Sequence, residues 1–154
     1  MAEEIKDISL SSKKSYRIDG DNSRIIYLDT SDMNILVRMN ETYPEIQKLA
    51  VEAADKIVAS KVGDDDSPLN DISEILKEID KRMREKLNYI FASDIADICE
   101  PKGNMYDPVG GEFRFEHIIE ALSTLYADNI TGEFKKMQER VKKHTAKYTN
   151  KRRK

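Results

Sequence analysis

The side chains able to carry reaction chemistry are few and far apart in this sequence. A histidine acting as a general base needs a nucleophile and an orienting group beside it. The two histidines, His117 and His144, stand 27 residues apart. His117 borders an apolar helical face beside Glu116 and Glu120, and the sequence nominates no nucleophile for it, so a helix-flank histidine is expected. Cys99, the one cysteine, has no basic neighbour before Lys102 to lower its pKa and reads as an inert thiol. Asp64-Asp65-Asp66 could attract a divalent cation but lacks the alternating ligands and the glycine of a calcium loop; it reads as a solvated acidic linker. There is no glycine-rich phosphate loop, no paired-cysteine metal spacing and no metalloprotease helix motif. The expectation is a chain that is not an enzyme, holds no metal and needs no cofactor.

Charge supplies the stronger signal. The chain holds 26 Lys and Arg against 29 Asp and Glu, a net charge of -3. Residues 135–154 alone contain ten of those bases and one acid, Glu139, so an acidic body carries a basic end. Phe134, Met137, Val141 and Tyr148 form a narrow apolar stripe there, flanked by Lys135, Lys136 and Arg140. Such a stripe suits helix-in-groove binding to a partner protein. The same lysines could bind nucleic-acid phosphates, although Tyr148 is the one aromatic nearby for base stacking. A solvated helix end is the plain alternative.

These residues must be held by a small helical body. Ser15–Ile18 and Arg24–Leu28 flank an Asp-Gly turn cluster and predict a β-hairpin. Asp29-Thr30-Ser31-Asp32 offers caps for a short helix through Met39. Asn40 to Pro44 should interrupt it, with Thr42 and Glu45 as the capping box of a new helix over about 44–61, stopped by Gly63. Residues Asp71–Ala92 carry the clearest helical pattern: Ile72, Ile75, Leu76, Ile79, Met83, Leu87, Ile90 and Phe91 cover an arc of roughly 160°. Glu74, Lys77, Glu78, Lys81, Arg84 and Glu85 fall on the opposite, solvent face. Ser93 should cap a short helix over Asp94–Cys99, and Glu100–Gly111 reads as a loop. A last helix is expected from about Glu112 to Asn129, broken or kinked at Gly132 before the charged end.

The fold class expected is therefore mostly α: a small helical domain with an N-terminal β-hairpin and a basic C-terminal helix or tail. Its parts are a flexible N-terminus (1–14), a helical domain (15–132) and the basic end (133–154). At 154 residues the chain can bury one modest core, and no apolar run is long enough to span a membrane. The acidic N-terminus lacks the apolar stretch of a signal peptide, and a lone cysteine suits a reducing compartment, so a cytoplasmic location is expected. Because the broad stripe of 71–92 reads as core, binding should fall to the hairpin edge, to loop 100–111 or to the seam after Gly132.

The order of elements resembles the tail assembly chaperones of long-tailed bacteriophages of Gram-positive hosts. The likeness runs through Ser73-Glu74-Ile75-Leu76, Leu87-Asn88-Tyr89-Ile90-Phe91, Ala96-Asp97-Ile98 and the helix Phe115–Tyr126, with Tyr16–Asp32 similar in character. It implies a non-enzymatic role: coating the phage tape measure protein, keeping it in solution and helping recruit the tail tube protein, with homo-oligomers in the partner's absence. A small nucleic-acid-associated or regulatory protein using the basic tail is the alternative, and an inhibitor of a host enzyme a third.

Overall fold

The computed structural model describes residues 3–59 and 69–152, without the side chains of 69–71, 144 and 146–152. Strands β1 (Lys14–Arg17) and β2 (Ile25–Leu28) pair antiparallel, Lys14 opposite Leu28 and Arg17 opposite Ile25. The turn between them places Asp19 and Gly20 at positive φ, as the Asp-Gly cluster led one to expect. Along β2 the burial alternates. Ile26 and Leu28 enter the core while Ile25 and Tyr27 face outward, the pattern of a sheet with one face on a core. Residues 3–13 form neither helix nor strand, and all are exposed.

Asp32 opens helix α1 (Asn34–Ala59) by accepting the Asn34 amide at 2.9 Å. The expected interruption at Asn40–Pro44 does not occur. Pro44 lies inside one continuous helix, where its ring withholds a single backbone hydrogen bond. Ile35, Thr42, Ile46, Leu49 and Ala53 fall on one stripe across that point and are all buried, so packing on the next helix outweighs the local defect. Thr42 is no cap: its hydroxyl donates to the Arg38 carbonyl at 2.6 Å. The Gly63 stop and the Asp64–Asp66 linker fall outside the described residues.

Helix α2 (Leu69–Phe91) is the predicted amphipathic segment, and its stripe is the core: Met83, Leu87 and Ile90 are wholly buried, with Ile79 and Phe91 nearly so. Glu45 pairs with Lys86, Glu41 with Tyr89, and Arg38 with the Ile90 carbonyl. Contacts in that opposed order make α1 and α2 antiparallel neighbours. Helix α2 ends in a Schellman cap. The Ser93 amide reaches the Asn88 carbonyl and the Ala92 amide the Tyr89 carbonyl, both at 3.2 Å, with Ala92 left-handed at φ +48°.

The short helix α3 (Ala96–Cys99) is not capped by Ser93, whose hydroxyl instead donates to the Tyr27 carbonyl. Asn88 does that work from the preceding helix, its Oδ1 accepting the amides of Ile95 and Ala96 at 2.9 Å each. The expected loop 100–111 holds a second hairpin: β3 (Pro108–Val109) pairs with β4 (Glu112–Phe113) around Gly110 and Gly111, both at positive φ. A two-residue turn of that hand wants glycine at both places. Helix α4 then runs from Arg114 to Arg152, straight through Gly132, which neither breaks nor ends it. Glycine costs a helix interior only about 1 kcal/mol, and strong helix formers surround this one. No helix among the described residues is long and apolar enough to cross a membrane.

Candidate functional site

Helix α4 has 39 residues and is about 58 Å long at 1.5 Å per residue. Its first part belongs to the core, burying Phe115, Leu122 and Tyr126, with the Tyr126 ring 5.8 Å from that of Phe91. Beyond Gly132 the company changes. Every residue from Glu133 to Lys143 is exposed. Phe134, Met137 and Val141, spaced three and four apart and therefore on one side of the helix, are 48%, 47% and 56% exposed. Around them stand Lys135, Lys136, Arg140, Lys142 and Lys143, all exposed, with Lys136 3.6 Å from Glu133. The sequence-predicted binding residues are thus brought together on one projecting helical arm. Tyr148 lies on the same helix, its side chain outside the described ones.

Two other constellations were not legible in the sequence. Arg84, assigned to the solvent face by helical spacing, is only 16% exposed and organises the segment that follows α3. Its Nε donates to Asp80 at 2.8 Å. Its two terminal nitrogens donate to Asp97 at 2.9 Å and to the carbonyls of Glu100 and Gly103 at 2.7 Å each. The other Asp80 oxygen accepts the Met105 amide at 2.7 Å. Arg24 closes the carboxyl end of α3 in the same manner, donating to the carbonyls of Ile98 and Cys99 at 2.9 and 2.6 Å. Arg38 does so for α2 at Ile90. Each guanidinium satisfies carbonyls that a helix end or loop leaves without partners, which is a positioning task. Gly103 fits because a Cβ there would meet Asp107 at 2.7 Å and Glu100 at 2.9 Å.

A groove of about 730 Å³ lies between the first hairpin, the segment after α3 and α4, with Cys99, Arg114 and His117 on its wall and Ile18, Ile118 and Leu125 among its apolar lining. Burial pushes the Cys99 thiol up to about 11, so it stays protonated at neutral pH. His117 Nε2 lies 2.9 Å from the Val109 carbonyl, an acceptor only, so that nitrogen carries the proton. Glu112 stands 3.5 Å from the same atom, and Glu100 lies 3.1 Å from Arg114 Nε. His117 and Arg114 are therefore each engaged by a neighbouring group of the fold. Among the described residues no group of three or more His, Cys, Asp or Glu side chains is placed to hold a metal ion.

Fold and site together define a mostly helical protein with an N-terminal two-stranded hairpin and a long, basic C-terminal helix. No protein-family model, no curated protein and no solved structure matches the chain.

Proposed function

We propose that the protein is a non-enzymatic binding protein that uses the arm of α4 to hold an amphipathic helical segment of another protein. One observation carries this reading: Phe134, Met137 and Val141 share one side of a helix that has left its own core. An apolar stripe of that width, rimmed by Lys135, Lys136 and Arg140, fits the apolar face of a helix with acidic flanks. The resemblance to phage tail assembly chaperones gives the reading its concrete form. A tape measure protein is a long helical client that needs its apolar faces covered, and a tail tube protein is the subunit to be recruited. An acidic body on a basic arm would keep the loaded client in solution by like-charge repulsion between bodies.

The test is co-expression with a long helical protein encoded beside this chain. A stable complex and a larger dissolved fraction of the client are expected, both lost with Phe134→Glu and Val141→Glu. A client that gains nothing from the intact chain would sink the proposal. Binding to DNA or RNA that weakens steeply with salt, and disappears on truncation after Gly132, would replace it with the nucleic-acid reading.

A further inference from the structure

The charges along α4 are sorted by position. From Arg114 to residue 134 the helix carries Glu116, Glu120, Asp128 and Glu133 against the single base Arg114; from residue 135 to its end at Arg152 it carries eight bases against Glu139. Glu120, Asp128 and Glu133 are exposed, as are Lys135 to Lys143. On the apolar side the spacing is that of a heptad. Phe134 and Val141 repeat at seven residues, and Ile130 and Met137, each four before one of them, repeat at seven as well. Ile130 is half-buried at the root of the arm, and the other three are exposed. Glu133 and Arg140 each precede a residue of the first set, the position that contacts the flank of a paired helix.

We propose that the arms of two copies of this chain pair antiparallel along this seam, Phe134 of each against Met137 of the other and Val141 against Ile130. The inference rests on the reading of the arm as the binding surface and names what covers it when no client is present. Charge selects the direction. Antiparallel pairing sets Glu133 of each copy beside Arg140 of the other, twice by symmetry, and lays Asp128 level with the other copy's Lys143. Parallel pairing would set Glu133 beside Gln138 and align two basic ends along their whole length. The contact is isologous and closes as a dimer. The helix itself supplies a further reason: a helical stretch exposed at every residue from Glu133 to Lys143 is marginal in water on its own, and pairing supplies burial that these residues lack in the single chain.

Sedimentation of the full chain across ~1 to ~500 µM is expected to show a reversible monomer–dimer equilibrium, because so short a seam gives mass-action control. Phe134→Glu with Val141→Glu should weaken the dimer more than about a hundredfold by burying charge on both sides of the seam, without changing the thermal unfolding of the body. Glu133→Arg alone or Arg140→Glu alone should weaken it about tenfold by placing like charges together, and the two combined should restore it. With Cys99→Ser and a spin label at Lys147→Cys, the labels of an antiparallel pair lie on the order of 34 Å apart along the axis, against about 10 Å in a parallel pair. A chain that stays monomeric at ~500 µM, a dimer indifferent to the apolar-to-Glu changes, or a charge swap that fails to restore pairing would overturn the proposal. A monomeric chain that still captures the helical client would overturn the pairing and leave the client reading standing. The dimer described, with no client bound, supports the pairing and removes the client reading.

Discussion

The two parts of α4 share one unbroken backbone helix and differ in everything around it. Residues 114–130 are helical because Phe115, Leu122 and Tyr126 are buried in the core, Phe115 beside Tyr106 and Tyr126 beside Phe91; residues 133–143 are helical with no residue buried. The first part would hold its shape even with poor local propensity. The second depends on strong helix formers and on growing from a nucleus already paid for by the core. One helix thus joins a rigid anchor to an adaptable surface, and substitutions should act on the two parts in different ways.

The largest contrast should come from truncating apolar side chains. Leu122→Ala is expected to destabilise the protein by about 2–4 kcal/mol in urea unfolding, since it opens a cavity in the core. Phe134→Ala in dilute solution should cost under ~0.5 kcal/mol, as exposed sites do. Equal costs would mean that the arm packs on its own body, and the comparison would fail.

Polar groups should repeat the contrast at a smaller scale. Arg84→Ala is expected to cost about 2–3 kcal/mol, because it strands the Asp80 carboxylate and the loop carbonyls of Glu100 and Gly103. Lys142→Ala on the arm should leave the unfolding midpoint unchanged.

Acid sharpens the picture further. The Arg38 guanidinium at 2.7 Å, and after it the Asn34 amide, hold the Asp32 carboxyl below the usual carboxylate range against a partial burial that opposes them. A depressed folded pKa means that the stabilisation is complete above the unfolded value of about 3.9 and is lost as pH falls through the folded one. Asp32→Asn should therefore lower stability at pH 7 by about 1–2 kcal/mol and flatten the acid limb of a stability–pH curve below pH ~4.

The smallest effects concern single backbone positions. Ala92 holds a left-handed conformation that glycine adopts without strain, so Ala92→Gly should raise global stability by about 1 kcal/mol. Gly132→Ala meets nothing within 4 Å and should increase the helicity of the arm, measured by circular dichroism, by a change worth ~0.5–1 kcal/mol, while leaving the unfolding of the body where it was.

The hairpin, the stripe of α2 and the apolar face of early α4 were legible in the sequence because each is a periodic pattern reporting on its own burial. The continuity of α1 and α4 was not. Pro44 and Gly132 are local signals of interruption, and the packing of Ile35 through Ala53 on α2, or propagation from Tyr126 outward, overrides them without leaving a motif. The arm residues Phe134, Met137 and Val141 could be read as a seam, but only the fold places them beyond the core. Arg84 was misplaced because its helical position does face outward; the segment from Asp97 to Gly103 then folds back over it through contacts up to 19 residues away. The groove beside Cys99 and His117 joins elements nearly a hundred residues apart and left no local signal at all.

Hydrogen exchange of the backbone amides at two protein concentrations tests the central claim most directly. Residues 114–130 should be protected to the same high degree at both. Residues 133–148 should exchange orders of magnitude faster at low concentration and gain protection as concentration rises. Uniform protection along the whole of α4, unmoved by concentration, would contradict it.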